Sequence, residues 1–310
     1  MIEPVPPSHR IDARAARRRF ARRRDAAADV LAAEVGRRMA DRLDVVRIDP
    51  AVIVDAGAGF AASETGLRRR YPRAYYIGLD SDCARMDRSA RPWRERLPWR
   101  SRLSGRLCAD FSAMPLRDRS VGLLWSVLAL AWARDTPAAL REWHRVLDIG
   151  GLAMFATYGP DTLKELRAAF RGAGEDLRVH GFTDLHDIGD MLVAAGFADP
   201  VMEAEWITLT YERVDGLVAD LRATGQTNVL AARPRGLLSP RRWQAACAAY
   251  ETLRQAGRLP ATFEIIYGHA WRAPARRLSD GRAVIRFERQ GSPDRQGGAN
   301  RQGSADRHHG

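Results

Sequence analysis

An apolar run closed by an acid and two closely spaced glycines, Val52-Ile53-Val54-Asp55-Ala56-Gly57-Ala58-Gly59, constrains this chain more than any other feature. A buried parallel strand that turns sharply into a helix has this form, because the glycines let backbone come close to a ligand. At a strand-helix-strand distance follows Tyr75-Tyr76-Ile77-Gly78-Leu79-Asp80, a second apolar run ending in an acid. In an open parallel sheet both acids sit at the carboxyl ends of adjacent strands, where ligands bind, and a carboxylate there accepts hydrogen bonds from two ribose hydroxyls. The pattern predicts a nucleoside-binding crevice.

Glycine spacing alone does not choose the ligand, since Gly57-x-Gly59-x-x-Ala62 also satisfies the loose dinucleotide fingerprint. Asp55 weighs the choice. A carboxylate two residues before the first glycine is a like charge toward the pyrophosphate of NAD, but it suits the ammonium group of a bound amino acid. S-adenosylmethionine carries that ammonium and a sulfonium, and is the favoured cofactor; a nicotinamide site and a glycine turn without ligand are the other readings. Asp110-Phe111, after the third expected strand, is placed to meet the adenine, the acid accepting from its amine and the ring stacking on it. A helix cap and a core phenylalanine are the plain structural alternative for that pair. The expected cofactor set is Asp55, Gly57, Gly59, Asp80, Ser81, Asp110, Phe111 and Ser126.

From Asp49 onward, strand and helix signals alternate, which predicts an α/β fold with a doubly wound, mostly parallel seven-stranded sheet. Strands are expected at 51–55, 75–79, 105–109, 121–126, 152–157, 201–210 and 262–271, with helices near 62–71, 82–94 and 136–147. Gly150-Gly151 reads as the C-cap of the last of these. Residues 13–43 carry apolar side chains at helical intervals and predict one or two amphipathic helices ahead of the sheet. Further helices at 160–170, 184–195, 212–223 and 239–256 form an excursion, a cap of about 160–260 over the carboxyl edge. The domain is expected to span 13–275, with residues 1–12 and the Gly/Ser/Gln-rich tail 290–310 disordered.

With 45% hydrophobic residues in 310, the chain can bury a large core. The formal charge is +12, yet Lys164 is the only lysine, so arginine usage reflects base composition more than selection for phosphate contacts. A positive surface still steers acidic partners. Cysteine is scarce and odd in number (Cys83, Cys108, Cys247), with no paired spacing, which argues against a zinc site or a disulfide framework. No secretory signal or membrane-spanning run is evident, so a cytoplasmic protein is expected. No nucleophile constellation stands out and no catalytic side chain is named. Tyr158, Arg178 and His180 are the candidates for contact with the acceptor. Trp125 and Trp132 are expected to be core residues rather than cation-stabilising faces. The arginine clusters 10–24 and 85–106 are either solvated faces or docking surfaces for an acidic partner; nucleic acid is not favoured.

Several longer segments add a resemblance. Met114-Pro115-Leu116, Leu128-Ala129-Leu130-Ala131-Trp132, Ala139-Leu140-Arg141-Glu142-Trp143 with Arg145-Val146-Leu147, and Gly159 to Arg167 resemble class I S-adenosylmethionine-dependent methyltransferases. Within that superfamily they resemble the BioC type, the malonyl-acyl-carrier-protein methyltransferases of biotin synthesis; Asp187 to Leu192 and Tyr267 to Ala270 continue the likeness. The resemblance implies methylation of the free carboxyl of a malonyl group held on an acidic acyl carrier protein, with the arginine clusters facing the carrier. This chain departs from the family pattern at Ala61, where a third glycine is usual, at Gly122 and Val127 in the fourth strand, and at Gly181, where an Arg commonly precedes the Phe. Glu34 to Arg42 and Asp161 to Arg167 also resemble a complex I assembly factor of the same fold that hydroxylates an arginine of a partner subunit. A non-catalytic adaptor is the third class.

Overall fold

Seven strands line up in the order β3-β2-β1-β4-β5-β7-β6 in the computed structural model, which describes residues 10–21, 29–59, 61–82, 104–175 and 177–274. The strands are β1 (Val52–Ala56), β2 (Tyr75–Asp80), β3 (Ser104–Cys108), β4 (Val121–Val127), β5 (Leu147–Tyr158), β6 (Ala198–Tyr211) and β7 (Leu259–Trp271). The first five pair in parallel, while β7 runs antiparallel to β5 and β6. Strand order reverses between β1 and β4, and an open sheet binds its ligand in the crevice outside such a switch point. The described residues fall in one compact unit ending at Pro274. The expected helix at 82–94 and the tail at 290–310 lie outside the described residues.

Eight α-helices are described: α1 (Ala13–Ala21), α2 (Val30–Arg42), α3 (Glu64–Arg70), α4 (Thr136–Val146), α5 (Lys164–Gly172), α6 (Leu185–Ala194), α7 (Val214–Ala223) and α8 (Pro240–Glu251). Their starts follow from local chemistry. Asp29, Asp135, Asp184 and Ser239 each accept a backbone N–H of the first turn, satisfying a donor that has no partner inside the helix. Both faces of the sheet are covered. One face packs Ile53, Leu123, Trp125 and Tyr158 against α2 through Leu31, Val35 and Met39. The other packs Val54, Leu124 and Phe155 against α4 and α6 through Leu140, Trp143, Ile188 and Leu192. Each such side chain contributes about 1.5–3 kcal/mol by leaving water.

The subfamily segments are largely struts. Arg145 on α4 pairs with Glu142 and donates to the carbonyls of Met114 and Leu116, while Glu142 accepts the Met114 N–H, so the loop into β4 is held in place. On α2, Arg38 pairs with Glu205, Arg42 pairs with Glu203, and the Arg42 guanidinium stacks 3.8 Å from the Tyr267 ring centroid. The segment Glu34 to Arg42 therefore fastens α2 to the β6-β7 edge.

Three expectations are corrected. Gly150-Gly151 does not cap α4: the helix stops at Val146, Leu147 already belongs to β5, and Gly151 lies so close to the Val121 carbonyl that a Cβ would sit 3.0 Å from it. Residues 10–12 are not a disordered lead-in, because Ile11 bridges Leu230 and is buried, and Asp12 pairs with Arg233. Cys108 is disulfide-bonded, where the cysteine spacing argues against a disulfide framework; Cys247 is free. No helix among the described residues is long and apolar enough to cross a membrane.

Candidate active site

The crevice at the switch point is a cavity of about 260 Å³ whose floor is the loop leaving β1. Gly57 and Ala58 donate to the Leu79 carbonyl at 2.8 and 3.0 Å, which ties this loop to β2. Gly57 has φ +82° and Gly59 φ +54°, and a Cβ on Gly57 would lie 2.2 Å from the Ala129 Cβ. Only glycine fits there. Ala61, at the usual position of a third glycine, adopts φ +58°, so the backbone keeps a left-handed turn that its residue disfavours.

Asp80 closes the loop from the other side. Its Oδ2 accepts the Gly59 N–H and its Oδ1 the Asp82 N–H, both at 2.9 Å, so the buried carboxylate is oriented by backbone donors. Each carboxylate oxygen can accept more than one hydrogen bond, as contact with a pair of ribose hydroxyls requires. Asp55 is buried one strand away and accepts the Tyr76 phenol at 2.7 Å. Burial pushes the Asp55 carboxyl up to about 7, against the hydrogen bond from Tyr76 and with help from the charges of Asp80 and Glu64. Such a group gains most from a cationic ligand. Ser81, Asp110 and Phe111 also line the cavity. Asp110 forms a turn by accepting the Ser112 N–H, and Phe111 packs edge-on against Trp143 while facing the cavity, so both combine structure with exposure to a ligand.

Ser126 is not at the cavity and is a correction. Its side chain is fully buried and donates to the Ala56 carbonyl at 2.9 Å, bracing β4 against the end of β1; Val127 and Leu128 line the cavity instead. Trp125 is a core residue whose indole donates to Ser63 at 3.0 Å. The roof differs from expectation as well. Among the described residues of the 160–260 excursion only Gln226 reaches the large cavity, whereas α1 and α2 supply Ala13, Ala16, Arg17, Ala32 and Ala33, with Asp29 at the α2 cap. Helices preceding the sheet carry no local motif for this, so periodicity found them without their role.

A side cavity of about 30 Å³ adjoins the first and shares Ala133, Arg134 and Tyr158 with it. Its other walls include Thr157, His180, Gly181, Phe182 and Thr183. Ring centroids stand 5.1 Å apart for Trp132 and His180, 4.7 Å for His180 and Phe182, and 5.1 Å for Tyr158 and Phe182, so four rings form a continuous wall. The stretch Gly159 to Arg167 lines neither cavity and braces the segments next to them. The Glu264 carboxylate accepts the Asp161 N–H at 2.6 Å, and Gly159 lies where a Cβ would meet that carboxylate at 2.4 Å. Arg167 donates to the carbonyls of Pro160, Thr162 and His180, fixing the imidazole-bearing segment beside β5.

Arg178 lines neither cavity. It pairs with the buried Glu175 at 2.8 Å and donates to the Gly236 carbonyl, so its charge is spent on the fold and the reading of it as an acceptor contact is corrected. Within the second arginine cluster only Arg106 is described, and it pairs with Glu64 at 3.1 Å. Among the described residues no group of His, Cys, Asp and Glu is arranged to hold a metal ion.

Sheet order, glycine cradle and paired acids together define a class I methyltransferase, and a methyltransferase domain family model matches residues 54–155. The fold is shared with the YcgJ protein of Bacillus subtilis (TM-score 0.53, 15% identity, 77% of this chain and 100% of that one). It is shared too with the BH2331 protein of Bacillus halodurans (TM-score 0.55, 13% identity, 78% of this chain and 100% of that one). Sequence carries the relationship further. The chain is 44% identical over 280 residues to malonyl-acyl-carrier-protein O-methyltransferase of Gallionella capsiferriformans, covering 89% of this chain and 96% of that protein. It is 48% identical over 266 residues to the protein of the same name from Laribacter hongkongensis, covering 84% and 90%. The chain belongs to the malonyl-acyl-carrier-protein O-methyltransferase family.

Proposed function

We propose that this protein methylates the free carboxylate of a malonyl group carried on acyl carrier protein, as a step of biotin biosynthesis. The observation that carries the reading is one cavity with two chemistries: Asp55, Asp80 and Asp110 on one side, and Trp132, Arg134 and Tyr158 on the other. When bound, S-adenosylmethionine supplies a methyl group activated by a positive sulfur. Asp80 and Asp110 would hold its ribose and adenine, and Asp55 its ammonium, with Gly57 and Gly59 bringing backbone close. The acceptor is already an anion near neutral pH, so no general base is required. What the protein supplies is alignment of the carboxylate with the methyl carbon and exclusion of water by the ring wall. Esterification removes the malonyl charge, which otherwise marks the group as unlike a fatty-acyl chain.

The partner fits the surface at the cavity mouth. On α1, Arg14, Arg17, Arg18 and Arg19 are exposed. The Ile11–Leu230 bridge joins that helix to the strip carrying the exposed Arg235, Leu237 and Arg241. A basic patch with an apolar residue in it is complementary to an acidic carrier. The assembly-factor reading rests on Glu34 to Arg42 and Asp161 to Arg167; fastening α2 to the sheet accounts for the first segment, and the contacts of Asp161 with Glu264 and of Arg167 with the His180 carbonyl account for the second. Expression of this protein in a biotin-requiring strain that lacks the carrier methyltransferase tests the proposal: growth without biotin is expected, and failure of well-expressed protein to restore it would overturn it.

A further inference from the structure

We propose that Arg134 is the anchor for the acceptor's carboxylate, an inference that rests on the methyl-transfer reading above and names the residue that selects an anion. Among the described residues, Arg17 and Arg134 are the cations that line the large cavity, and of the two only Arg134 also lines the side cavity. It stands at the junction, after the turn that carries Trp132 and beside Tyr158. Gly181 contributes no side chain to the same wall.

Arg134 is also uncommitted. Among the described residues it makes no ion pair and no side-chain hydrogen bond. Its neighbour Asp135 does not neutralise it through a contact, because that carboxylate accepts the Ala138 N–H as the cap of α4. The arginines that hold the fold differ: Arg106, Arg145 and Arg178 are paired with acids, and Arg167 donates to three carbonyls. An arginine left unpaired where two cavities meet, opposite a donor half lined by Asp55, Asp80 and Asp110, divides the cavity into an acidic and a basic end. A carboxylate entering between aromatic walls loses hydration and needs a partner, and the planar guanidinium offers two parallel donors.

The reaction then changes what Arg134 holds. A carboxylate oxygen forms a bond to the methyl carbon as the carbon–sulfur bond breaks, and the electron pair stays on sulfur, turning sulfonium into thioether; no proton moves. The acceptor leaves as a neutral ester, so the group that captured the substrate has no charge to grip in the product. Arg134 therefore governs entry of the anion and release of the ester.

The test uses the full chain, S-adenosylmethionine and malonyl-acyl carrier protein, with the methyl ester of that carrier as a competing ligand. Wild type is expected to hold the malonyl carrier at least tenfold more tightly than the ester carrier. Arg134→Gln is expected to raise the acceptor KM by about tenfold or more with kcat within about threefold, and to bind both carriers alike. Arg134→Lys is expected to recover part of the preference, since it keeps charge and loses the fork. Retained heat of S-adenosylmethionine binding shows that the glutamine variant is folded. An active wild type whose Arg134→Gln variant keeps its KM and its preference overturns the anchor alone. Loss of cofactor binding in that variant assigns Arg134 to the donor side and overturns it too. A wild type that binds S-adenosylmethionine but never methylates the carrier removes the functional reading and this inference with it.

Discussion

The two ends of the cavity are built differently. The donor end stands on neighbouring strand ends: Asp55 and Asp80 lie at the ends of β1 and β2, placed by backbone pairing, and Asp110 comes just after β3. The acceptor end is gathered from distant stretches, with Arg134 after β4, Tyr158 closing β5, and His180 and Phe182 before α6. A rigid, repetitive edge serves the ligand that every member of a fold must hold. Variable connections serve the one that distinguishes members, as expected when loops carry specificity on a fixed scaffold.

If that contrast is right, damage to the donor end is severe and uniform. Asp80→Ala removes the acceptor of two backbone N–H groups as well as the proposed ribose contact, and titration calorimetry is expected to find cofactor affinity lowered by about 1,000-fold, roughly 4 kcal/mol. Gly57→Ala forces a Cβ into Ala129 at a left-handed φ, and chemical denaturation is expected to register a loss of about 3 kcal/mol.

Proton linkage sharpens the donor end further. The Asp55 carboxyl, pushed up to about 7 by burial, is partly protonated in the free protein below that pH, and an ammonium-bearing ligand favours the ionised form. Cofactor affinity should therefore rise with pH up to about 7, by at most roughly tenfold per unit, and flatten above it. Calorimetry at pH 6 in buffers of different ionisation enthalpy should detect proton release on binding that Asp55→Asn abolishes. Without ligand the sign reverses. An acid whose folded value exceeds its unfolded one holds more protons folded than unfolded between about pH 4 and 7, so its contribution to stability falls as pH rises through that window.

Smaller effects separate scaffold from site. Ala61→Gly relieves a left-handed alanine and is expected to stabilise the protein by about 1 kcal/mol, read as a higher midpoint in denaturant, provided the freer unfolded chain does not cancel it. Arg178→Ala is expected to lower the melting temperature and leave the acceptor KM unchanged, because its partners Glu175 and Gly236 lie outside both cavities.

Legibility in the sequence follows the same division. The strand pattern and the acids Asp55 and Asp80 were readable because period, apolar content and a terminal acid are local signals. Ser126 is misplaced by the sequence because strand register decides which of two neighbouring side chains faces the cavity, and here Val127 does. Arg178 was misread because only the folded chain brings Glu175 against it, and Arg134 was passed over because no single stretch marks it as unpaired. The α1 roof depends on the contact of Ile11 with Leu230, more than two hundred residues apart, which no window of sequence contains.

Intact mass spectrometry of malonyl-acyl carrier protein after incubation with this protein and S-adenosylmethionine tests the central claim most directly. The account predicts that the carrier gains the mass of one CH2 group, on the malonyl carboxyl. An unchanged carrier in a sample that demonstrably binds the methyl donor would contradict it.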